Sequence, residues 1–550
     1  MPKIPFWVFI LLAVLYFSAI RIDTMDIDAS QYAEMSREMT HSNNYLQLYD
    51  RGVDYLDKPP FLFWVSATSM KVFGVNDLGY KFPSILFALL ALYAVYRLTR
   101  LLYNEETGQM AALILGSCQG LFLMTNDVRC DTILMSCVIT AIWLIKEWEL
   151  SGKLYQLLLG TVSIAFGMMT KGPIALMVPV FCFAADWVLK RKWNYFIKPQ
   201  YLLAIITIAV LLIPMSIGLY QQFDLHPEKH VNATTHVSGL RFFFWEQSFG
   251  RITGENAWEN GAGFDFLLSN MLWSFLPWIL LFLVALVINV VNVFKQSLRL
   301  QPRQEWVSTG GFILSYCALG LSHYQLPHYI FVAFPLAAIM VAGLLKDFFE
   351  GRYSLLYKVM KPVQLFVALV LFTGTTLTLC FVFPAGITMY IALGLCMLLW
   401  LYIAIAKQIK GKLLWISAGA IMLCNIFITH HFYYWLLKYQ VGNTVGKYLH
   451  QHHISTDQLL VYRLDDPIDA LPFYAQGLIT NSDKPLLQFP AAKYVLTGDS
   501  GSYELKDRGF LFDTVKQGKF FKVSELTPQF LNPATRDSAT KQYFLLRMKP

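Results

Sequence analysis

The chain has 550 residues, of which 56% are hydrophobic, 15% aromatic and only 15% charged, and its mean hydropathy is +0.46. Ordinary globular proteins carry about 25% charged residues, so this composition excludes a cytosolic enzyme, a disordered protein and a secreted disulfide scaffold. The net charge of +8 is attributed to basic cytoplasmic loops rather than to a nucleic-acid partner, because such loops commonly give membrane proteins a basic excess. The composition predicts a membrane protein with many spans.

Apolar runs long enough to span a membrane recur along the first 431 residues. About thirteen are predicted, near residues 6–20, 80–101, 109–126, 130–147, 154–170, 172–189, 201–220, 264–294, 306–322, 325–345, 362–383, 386–406 and 413–431. The first is interpreted as a retained helix rather than a signal peptide, because no convincing small-residue cleavage site closes it. The predicted fold class is therefore an all-α polytopic membrane protein.

The orientation follows from the loops between these runs. Basic residues such as Lys190, Arg191 and Lys192 cluster in alternate loops, whereas the short loops of the opposite set are nearly free of them. Positively charged loops stay in the cytoplasm. We therefore expect a cytoplasmic N-terminus and, after an odd number of spans, an outer tail.

Three outer segments are too long to be simple connectors: residues 21–79, 221–263 and the tail 432–550. The tail alternates strand-like stretches with a helix-like stretch at 441–451, which predicts a small soluble α/β domain. The strand-like stretches are 458–462, 493–497, 510–513 and 543–547. We thus divide the chain into a membrane domain, 1–431, and a soluble domain, 432–550. No internal repeat is found, which weakens a transporter interpretation.

The first outer segment carries a candidate catalytic acid. Asp28, Gln31, Tyr32 and Met35 recur at helical spacing, so a helix lying along the membrane is expected to start near Asp28. One interpretation is that Asp26 or Asp28 only caps this helix. The functional alternative is a carboxylate held at the membrane surface to activate a hydroxyl group.

Lys58 stands directly before Pro59 and Pro60 and an aromatic run. The prolines restrict the local backbone, so Lys58 becomes a positioned point charge suited to a phosphate. The alternative is a lysine that only flanks the lipid. That interpretation is weaker here, because the positive-inside bias does not apply on the outer side.

Asp131 and Lys171 lie in very short outer turns between apolar runs. Ionisable groups at such depths are costly and are functional candidates. Asp131 could face Asp28 across an outer cavity, and Lys171 could join Lys58 on an anion. The structural alternative is an ion pair of Asp131 with either Arg129 or Lys171.

Two further constellations lie on the outer side. The stretch 241–251 mixes aromatic residues with Glu246 and Arg251, as an interfacial helix would. Near residue 325, the Tyr329 hydroxyl could meet a phosphate. The neighbouring His323 and His328 have no third ligand in sight, which is poor evidence for a metal site.

These segments, in this order, resemble the GT-C glycosyltransferases of the protein mannosyltransferase-like superfamily. The similarity is greatest to the bacterial branch that includes the lipid A 4-amino-4-deoxy-L-arabinose transferase. The motifs lie within residues 5–345 and comprise Asp28-x-x-x-Tyr32-Ala33-Glu34-Met35-x-Arg37-Glu38-Met39, Asp57-Lys58-Pro59-Pro60 with Phe73-Gly74, Asp131, Lys171-Gly172-Pro173, Phe243-Phe244-Trp245-Glu246 to Arg251, Pro277-Trp278, and Leu326-Pro327-His328-Tyr329 to Pro335.

The resemblance implies transfer of a sugar from undecaprenyl phosphate, with inversion, at the outer face of a bacterial inner membrane. It implies that Asp28 is the base or the group that orients the acceptor, and that Asp131 is a second acid nearby. It further implies roles around the donor and the cavity for two groups of residues. These are Lys58, Lys171 and Tyr329 at the donor phosphate, and Glu34, Glu246 and Arg251 at the cavity or acceptor.

The chain departs from the branch pattern at Ala29 and Gln325 and lacks a histidine between Glu246 and Arg251. The sugar therefore stays open between 4-amino-4-deoxy-L-arabinose and a related pentose or hexose, and the acceptor between lipid A, another glycan and a protein. A protein O-glycosyltransferase of the same fold and a lipid or sugar transporter are the alternative functions. We expect a monomer that uses no nucleotide cofactor and no nucleic acid, with any divalent cation secondary.

Overall fold

The computed structural model describes residues 1–231, 234–247, 250–255, 259–301, 304–464, 466–482 and 492–549. The first 219 residues form a short antiparallel hairpin and a series of helices. In chain order these are α1 (Phe6–Ser18), α2 (Asp28–Ser42), β1 (Tyr49–Asp50), β2 (Val53–Asp54), α3 (Phe61–Phe73), α4 (Asp77–Leu102), α5 (Glu105–Gly116), α6 (Gln119–Asn126), α7 (Cys130–Ser151), α8 (Leu154–Lys171), α9 (Ile174–Leu189) and α10 (Gln200–Leu219).

The second outer segment contains only short helices, and longer apolar helices resume after it. These elements are α11 (Gly239–Arg241), α12 (Gly250–Thr253), α13 (Phe266–Ser274), α14 (Ile279–Lys295), α15 (Val307–Gly320), α16 (Phe334–Phe349), α17 (Ser354–Leu377), α18 (Ile387–Ile405), α19 (Lys412–Phe427) and α20 (Tyr433–Leu436). A 3₁₀ turn, Pro327–Ala333, leads directly into α16.

Each predicted apolar run coincides with one of these helices or with a pair of them. Within the described residues, six helices are long and apolar enough to cross a membrane, and a seventh span results if the bent pair α5 and α6 is one span. Other apolar helices, including α1, α9, α14 and α15, are shorter. The helical class of the membrane domain is thus confirmed, whereas the count of about thirteen spans stays a prediction.

The first outer segment folds as predicted around a helix that begins at Asp28. Tyr32, Met35 and Met39 are buried on one side of α2, which packs against α3. Neither Asp26 nor Asp28 caps this helix. Ile27 occupies the N-cap position, and no side chain accepts a capping hydrogen bond there. The Asp26 carboxylate instead accepts the Ser30 hydroxyl at 2.9 Å.

The tail forms a compact mixed sheet with flanking helices. Its elements are α21 (Val441–Gln451), β3 (Leu459–Tyr462), α22 (Leu471–Ala475), β4 (Thr480–Ser482), β5 (Tyr494–Gly498), α23 (Asp499–Asp507), β6 (Phe512–Phe520), α24 (Pro528–Leu531) and β7 (Lys541–Met548). The strand order is β4-β3-β5-β7-β6, with β3 parallel to β4 and β5 and the remaining pairs antiparallel.

Alternate residues of β3 explain why this sheet is covered on both faces. Leu459 and Val461 pack into a cluster with α21, whereas Leu460 and Tyr462 pack into another with Leu505 of α23. All four side chains are buried. Strands buried on both faces lose the apolar-polar alternation of a surface sheet, and the four predicted strands are nevertheless all present.

The tail also contacts the first outer segment. The Arg51 guanidinium binds the Asp469 carboxylate at 2.6 Å, and the Lys447 ammonium binds Asp23 at 2.5 Å. A ring contact joins Phe473 to Tyr80 of α4. The tail therefore lies against the segment that carries Asp28.

Gly218 provides a test of how the outer segment packs on α10. A Cβ atom at this position would lie 2.0 Å from the backbone oxygen of Leu46, whereas one at Gly374 of α17 would meet nothing within 4 Å. We expect Gly218→Ala to lower the melting temperature in detergent, because overpacking costs about 1–3 kcal/mol. Gly374→Ala is the control and should be neutral or slightly stabilising. Equal melting temperatures for the two variants would contradict the packing.

Asp26 makes stability depend on pH. Burial, and then the nearby Asp469 carboxylate, raise the pKa of Asp26 from 3.8 to about 7. Between these two values the folded protein holds a proton that the unfolded chain has lost, so stability should fall as pH rises from about 4 to 7. Burial raises the pKa of Glu38 to about 7 as well, in the same direction.

Thermal unfolding at pH 5 and pH 8 measures this dependence. The parent protein should be less stable at pH 8, and Asp26→Asn should shrink the difference between the two pH values without abolishing it, because Glu38 still titrates. An undiminished difference in Asp26→Asn would show that Asp26 is not the titrating group.

Candidate functional site

A polar cavity opens among the helix ends that the sequence analysis placed on the outer side. The residues that line it are Lys58, Leu134, Lys171, Ile174, Met177, Gln247, Arg251, Ala318, Leu319, Ser322, Tyr329 and Val332. Its empty space, including the part open to solvent, is about 800 Å³. The walls thus combine three cations with apolar side chains, and no carboxylate is among these described lining residues.

The turn between α8 and α9 places Lys171 at the cavity. Lys171 is the last residue of α8, and Gly172 follows it with a φ of 96°, a conformation that glycine adopts readily. Pro173 then starts the chain back into α9. A lysine at a helix C-terminus is also favoured by the helix dipole. The Lys-Gly-Pro motif therefore fixes a cation at the cavity wall.

Asp131 holds this lysine. Its Oδ1 atom lies 2.5 Å from the Lys171 ammonium, and its Oδ2 atom lies 3.7 Å from Nε2 of His328. The carboxylate is 3% exposed, and such a buried charge needs a partner. Asp131 therefore forms the structural ion pair with Lys171, whereas Arg129 pairs with Asp28 and Asp127.

Tyr329 stands between two cations. Its hydroxyl accepts a hydrogen bond from the Arg251 guanidinium at 2.6 Å, and the Lys171 ammonium lies 4.2 Å from the centre of its ring. The 3₁₀ turn that follows Leu326 brings this ring to the cavity. A hydroxyl bound in this way can still donate its own proton to an anion in the cavity.

Lys58 lines the cavity and has no carboxylate at ion-pair distance in the described part of the chain, whereas Lys171 binds Asp131. It precedes Pro59 and Pro60, and α3 begins directly after them. Because Lys171 is already paired with Asp131, the charge of Lys58 is less neutralised than that of Lys171. The site is therefore suited to an anion.

Asp28 lies outside the lining of the cavity but is linked to it. Its carboxylate forms an ion pair with Arg129, which also binds Asp127 at 2.5 Å. Arg129 immediately precedes α7, two residues before Asp131. The Asp28 side chain is 37% exposed, so it combines an ion pair with access to solvent.

The structure corrects the positions expected for some acids. Asp131 does not face Asp28 across the cavity, because its carboxylate is directed to Lys171. Glu34 does not line the cavity either, because it is fully buried in a bidentate pair with Arg37 on α2. Glu246 pairs with Arg241 at 3.0 Å rather than facing the cavity. Within the stretch 243–251, Ser248 and Phe249 lie outside the described residues.

The described residues offer no ligand set for the expected secondary divalent cation. Across the described ranges, no three His, Cys, Asp or Glu side chains come together in a way that could hold a metal ion. The acids near the cavity are engaged by arginine or lysine instead. We therefore derive no step through a metal.

Sequence reasoning missed three contributors. Gln247 and Ser322 line the cavity, and Arg129 holds Asp28. Gln247 is adjacent to Glu246, so the second-loop motif could have drawn attention to it. Arg129 was considered only as a partner of Asp131, because the sequence contains no signal that joins α2 to the start of α7.

Comparison with known proteins finds sequence similarity in a part of the chain that carries residues of this site. Residues 57–217 match the family model described as dolichyl-phosphate-mannose-protein mannosyltransferase. This range includes Lys58, Asp131 and Lys171.

Curated relatives include undecaprenyl phosphate-alpha-4-amino-4-deoxy-L-arabinose arabinosyl transferases. That of Pseudomonas savastanoi pv. phaseolicola is 26% identical over 388 residues, which cover 64% of this chain and 68% of the relative. That of Edwardsiella ictaluri is 26% identical over 326 residues, 58% of this chain and 54% of the relative. The chain thus matches between about half and two thirds of the length of these relatives.

A solved structure extends the similarity to the whole chain. The crystal structure of ArnT from Cupriavidus metallidurans bound to undecaprenyl phosphate superposes with a TM-score of 0.71 over 98% of this chain and 97% of that one, at 14% identity. At this identity the match establishes the fold, including the outer tail. The resemblance predicted from the sequence is therefore confirmed: the chain has the GT-C fold, and the glycosyltransferase activity named for its relatives is the enzyme class that the sequence predicts.

Proposed function

We propose that this protein transfers a sugar from undecaprenyl phosphate to an acceptor hydroxyl at the outer face of a bacterial inner membrane. The observation that carries the proposal is the cavity in which Lys58, Lys171, Arg251 and Tyr329 converge beside apolar walls. A lipid-linked phosphate needs this combination of cations and apolar surface. The names of the arabinosyl transferase relatives support the same donor.

The donor phosphate is proposed to bind beside Lys58. Lys171 and the Tyr329 hydroxyl neutralise the same group, while Leu134 and Ile174 face the first carbons of the lipid. When the sugar leaves, negative charge develops on the phosphate oxygen that it leaves behind. Fixed cations in a site of low dielectric stabilise such a charge far more than water would.

Asp28 is proposed as the base. Its carboxylate takes the proton of the acceptor hydroxyl, the hydroxyl oxygen bonds to the anomeric carbon, and the bond from that carbon to the phosphate oxygen breaks with inversion. Base assistance of this kind contributes about 10²–10⁴-fold. Arg129 can remain bound to Asp127 while Asp28 turns to the acceptor, because it already bridges the two carboxylates.

Asp131 is proposed to act through Lys171 rather than as a base. A buried carboxylate bound at 2.5 Å to an ammonium group orients that group, and protonating the carboxylate would release the lysine. Arg251 acts similarly through the Tyr329 hydroxyl. The two pairs hold the Lys171 ammonium and the Tyr329 hydroxyl in place before substrate binds.

The sugar is proposed to be 4-amino-4-deoxy-L-arabinose or a related pentose or hexose, and the acceptor lipid A or another envelope glycan. A protein acceptor, as the matching mannosyltransferase family model names, is the alternative. Mass spectrometry of lipid A and of envelope glycoproteins, from cells with and without the gene, distinguishes these acceptors. A mass difference equal to one sugar should appear either in lipid A or in the glycoproteins, but not in both.

A transport assay separates transferase from transporter. Purified protein in vesicles, given radiolabelled undecaprenyl-phosphate sugar and envelope extract, should move the label into a new product. Label that only crosses the membrane, unchanged, would overturn the proposal.

Asp28→Asn should reduce turnover by about 10²-fold or more, because the amide cannot accept the proton. Donor binding and the melting temperature should stay close to those of the parent. Asp54→Asn, which alters another paired acid of the same segment, serves as the control and should retain its turnover. Parental turnover in Asp28→Asn would move the base elsewhere.

Lys58→Met should weaken the binding of undecaprenyl phosphate by about 10- to 100-fold, as the loss of a charge-assisted hydrogen bond of about 1.5–3 kcal/mol implies. Lys71→Met is matched to it, since Lys71 lies on the same outer segment but binds Asn43 outside the cavity. Titration of both variants with the lipid measures the difference. Equal affinities would remove Lys58 from the phosphate site.

A further inference from the structure

Residues 23–27, which we call the lead segment, join the end of the first helix to the start of α2 and stop directly before Asp28. The lead segment takes its hydrogen-bond partners mainly from the soluble tail, more than 400 positions further along the chain. Chain connectivity alone does not require this arrangement.

Gln440 makes the central contact. It is fully buried, its Oε1 atom accepts the N–H of Asp26 at 2.9 Å, and its Nε2 atom donates to the carbonyl oxygen of Thr24 at 2.9 Å. One side-chain amide therefore holds the backbone on both sides of Met25. A second donor bond, to Asn443, fixes the amide plane.

Flanking contacts support the same backbone. The Tyr474 hydroxyl accepts the N–H of Thr24 at 2.7 Å and donates to the carboxylate of Asp77 at 2.7 Å. The Lys447 ammonium binds Asp23 at 2.5 Å. The N–H of Ala470 bonds to the Asp26 carboxylate.

Attachment of the tail to the membrane domain does not depend on these bonds alone. A separate apolar cluster joins Phe383 to Leu436, Phe521 and Phe530, and the Arg536 guanidinium stacks 4.4 Å from the Phe383 ring. A buried amide is costly to place and adds little apolar contact. Two of its bonds are directed at Thr24 and Asp26, which lie four and two residues before α2 begins.

We propose that Gln440 is a positioning residue for Asp28, so that the soluble domain completes the active site. The proposal rests on the proposed role of Asp28 as base. Asp28 is the first residue of α2, and its partly exposed side chain is held from the membrane domain by Arg129. The direction of its Cα–Cβ bond therefore follows the backbone that Gln440 fixes. A displacement of 1 Å can cost about 10²-fold in rate.

Gln440→Met tests this, because methionine keeps the length of the side chain and removes both hydrogen bonds to the lead segment, together with the bond to Asn443. Gln476→Met is the matched control. Gln476 is another glutamine of the tail, and its amide donates to the carbonyl oxygen of Val75 at 3.0 Å, far along the chain from Asp28. We expect Gln440→Met to lower kcat about tenfold with the donor KM within twofold of the parent, and Gln476→Met to keep both.

Purely structural damage would give a different result. If kcat of Gln440→Met is unchanged, or if kcat falls only in proportion to the fraction of protein that remains folded, the positioning role is overturned. Hydrogen exchange of peptides that cover residues 23–30 adds a readout that requires no turnover. Faster exchange there in Gln440→Met, but not in Gln476→Met, is expected, and identical exchange would overturn the proposal.

A double-mutant cycle separates this proposal from the proposed base. If Gln440 acts through Asp28, Gln440→Met should change kcat less than twofold in an Asp28→Asn background, because coupled residues are not additive. A full tenfold effect in that background would overturn the positioning role while leaving Asp28 as base. Parental kcat in Asp28→Asn alone would instead reject the base, and the exchange measurement would still decide whether Gln440 holds the lead segment.

Discussion

The cost of placing charge in a medium of low dielectric is the constraint on which the outer face of this protein depends. A carboxylate or an ammonium group removed from water must be paired or lose its charge, and four acids of the outer face are paired. Asp131 binds Lys171, Asp28 and Asp127 share Arg129, and Glu34 binds Arg37. Once these pairs are formed, the charge of Lys58 is less neutralised than that of Lys171. An anion that binds in the cavity would provide a partner for the Lys58 ammonium.

Much of the fold follows from the sequence, because its signals are local. A membrane helix satisfies its own backbone hydrogen bonds, so every apolar run was found as a helix. Four of the five strands of the tail were predicted for a similar reason, since β-branched and aromatic residues concentrate between turn residues, whereas the short β4 was missed. Length was less informative. Bent pairs such as α5 with α6, and shorter helices such as α15, make it impossible to count spans from apolar composition alone.

The candidate site was predictable where a motif fixes both a side chain and its backbone. Lys58 before two prolines and Lys171 before Gly172-Pro173 both reach the cavity, as does Tyr329 after Leu326-Pro327. The acids were harder to place, because a carboxylate can turn to any cation within reach and the sequence does not say which cation that is. Asp131 was expected opposite Asp28 and instead binds Lys171. Glu34 binds Arg37, three residues away, and Glu246 binds Arg241, five residues away.

The contacts of residues 23–27 have a consequence for biosynthesis. The hydroxyl of Tyr474 and the backbone of Thr24 are separated by 450 positions, nearly the whole length of the chain. The first outer segment is synthesised early in translation, whereas its partners in the tail are synthesised last. Asp28 is therefore incompletely held until the tail has been made and has folded. A nascent or C-terminally truncated chain would have all the membrane-embedded cations of the site before its carboxylate is set in place.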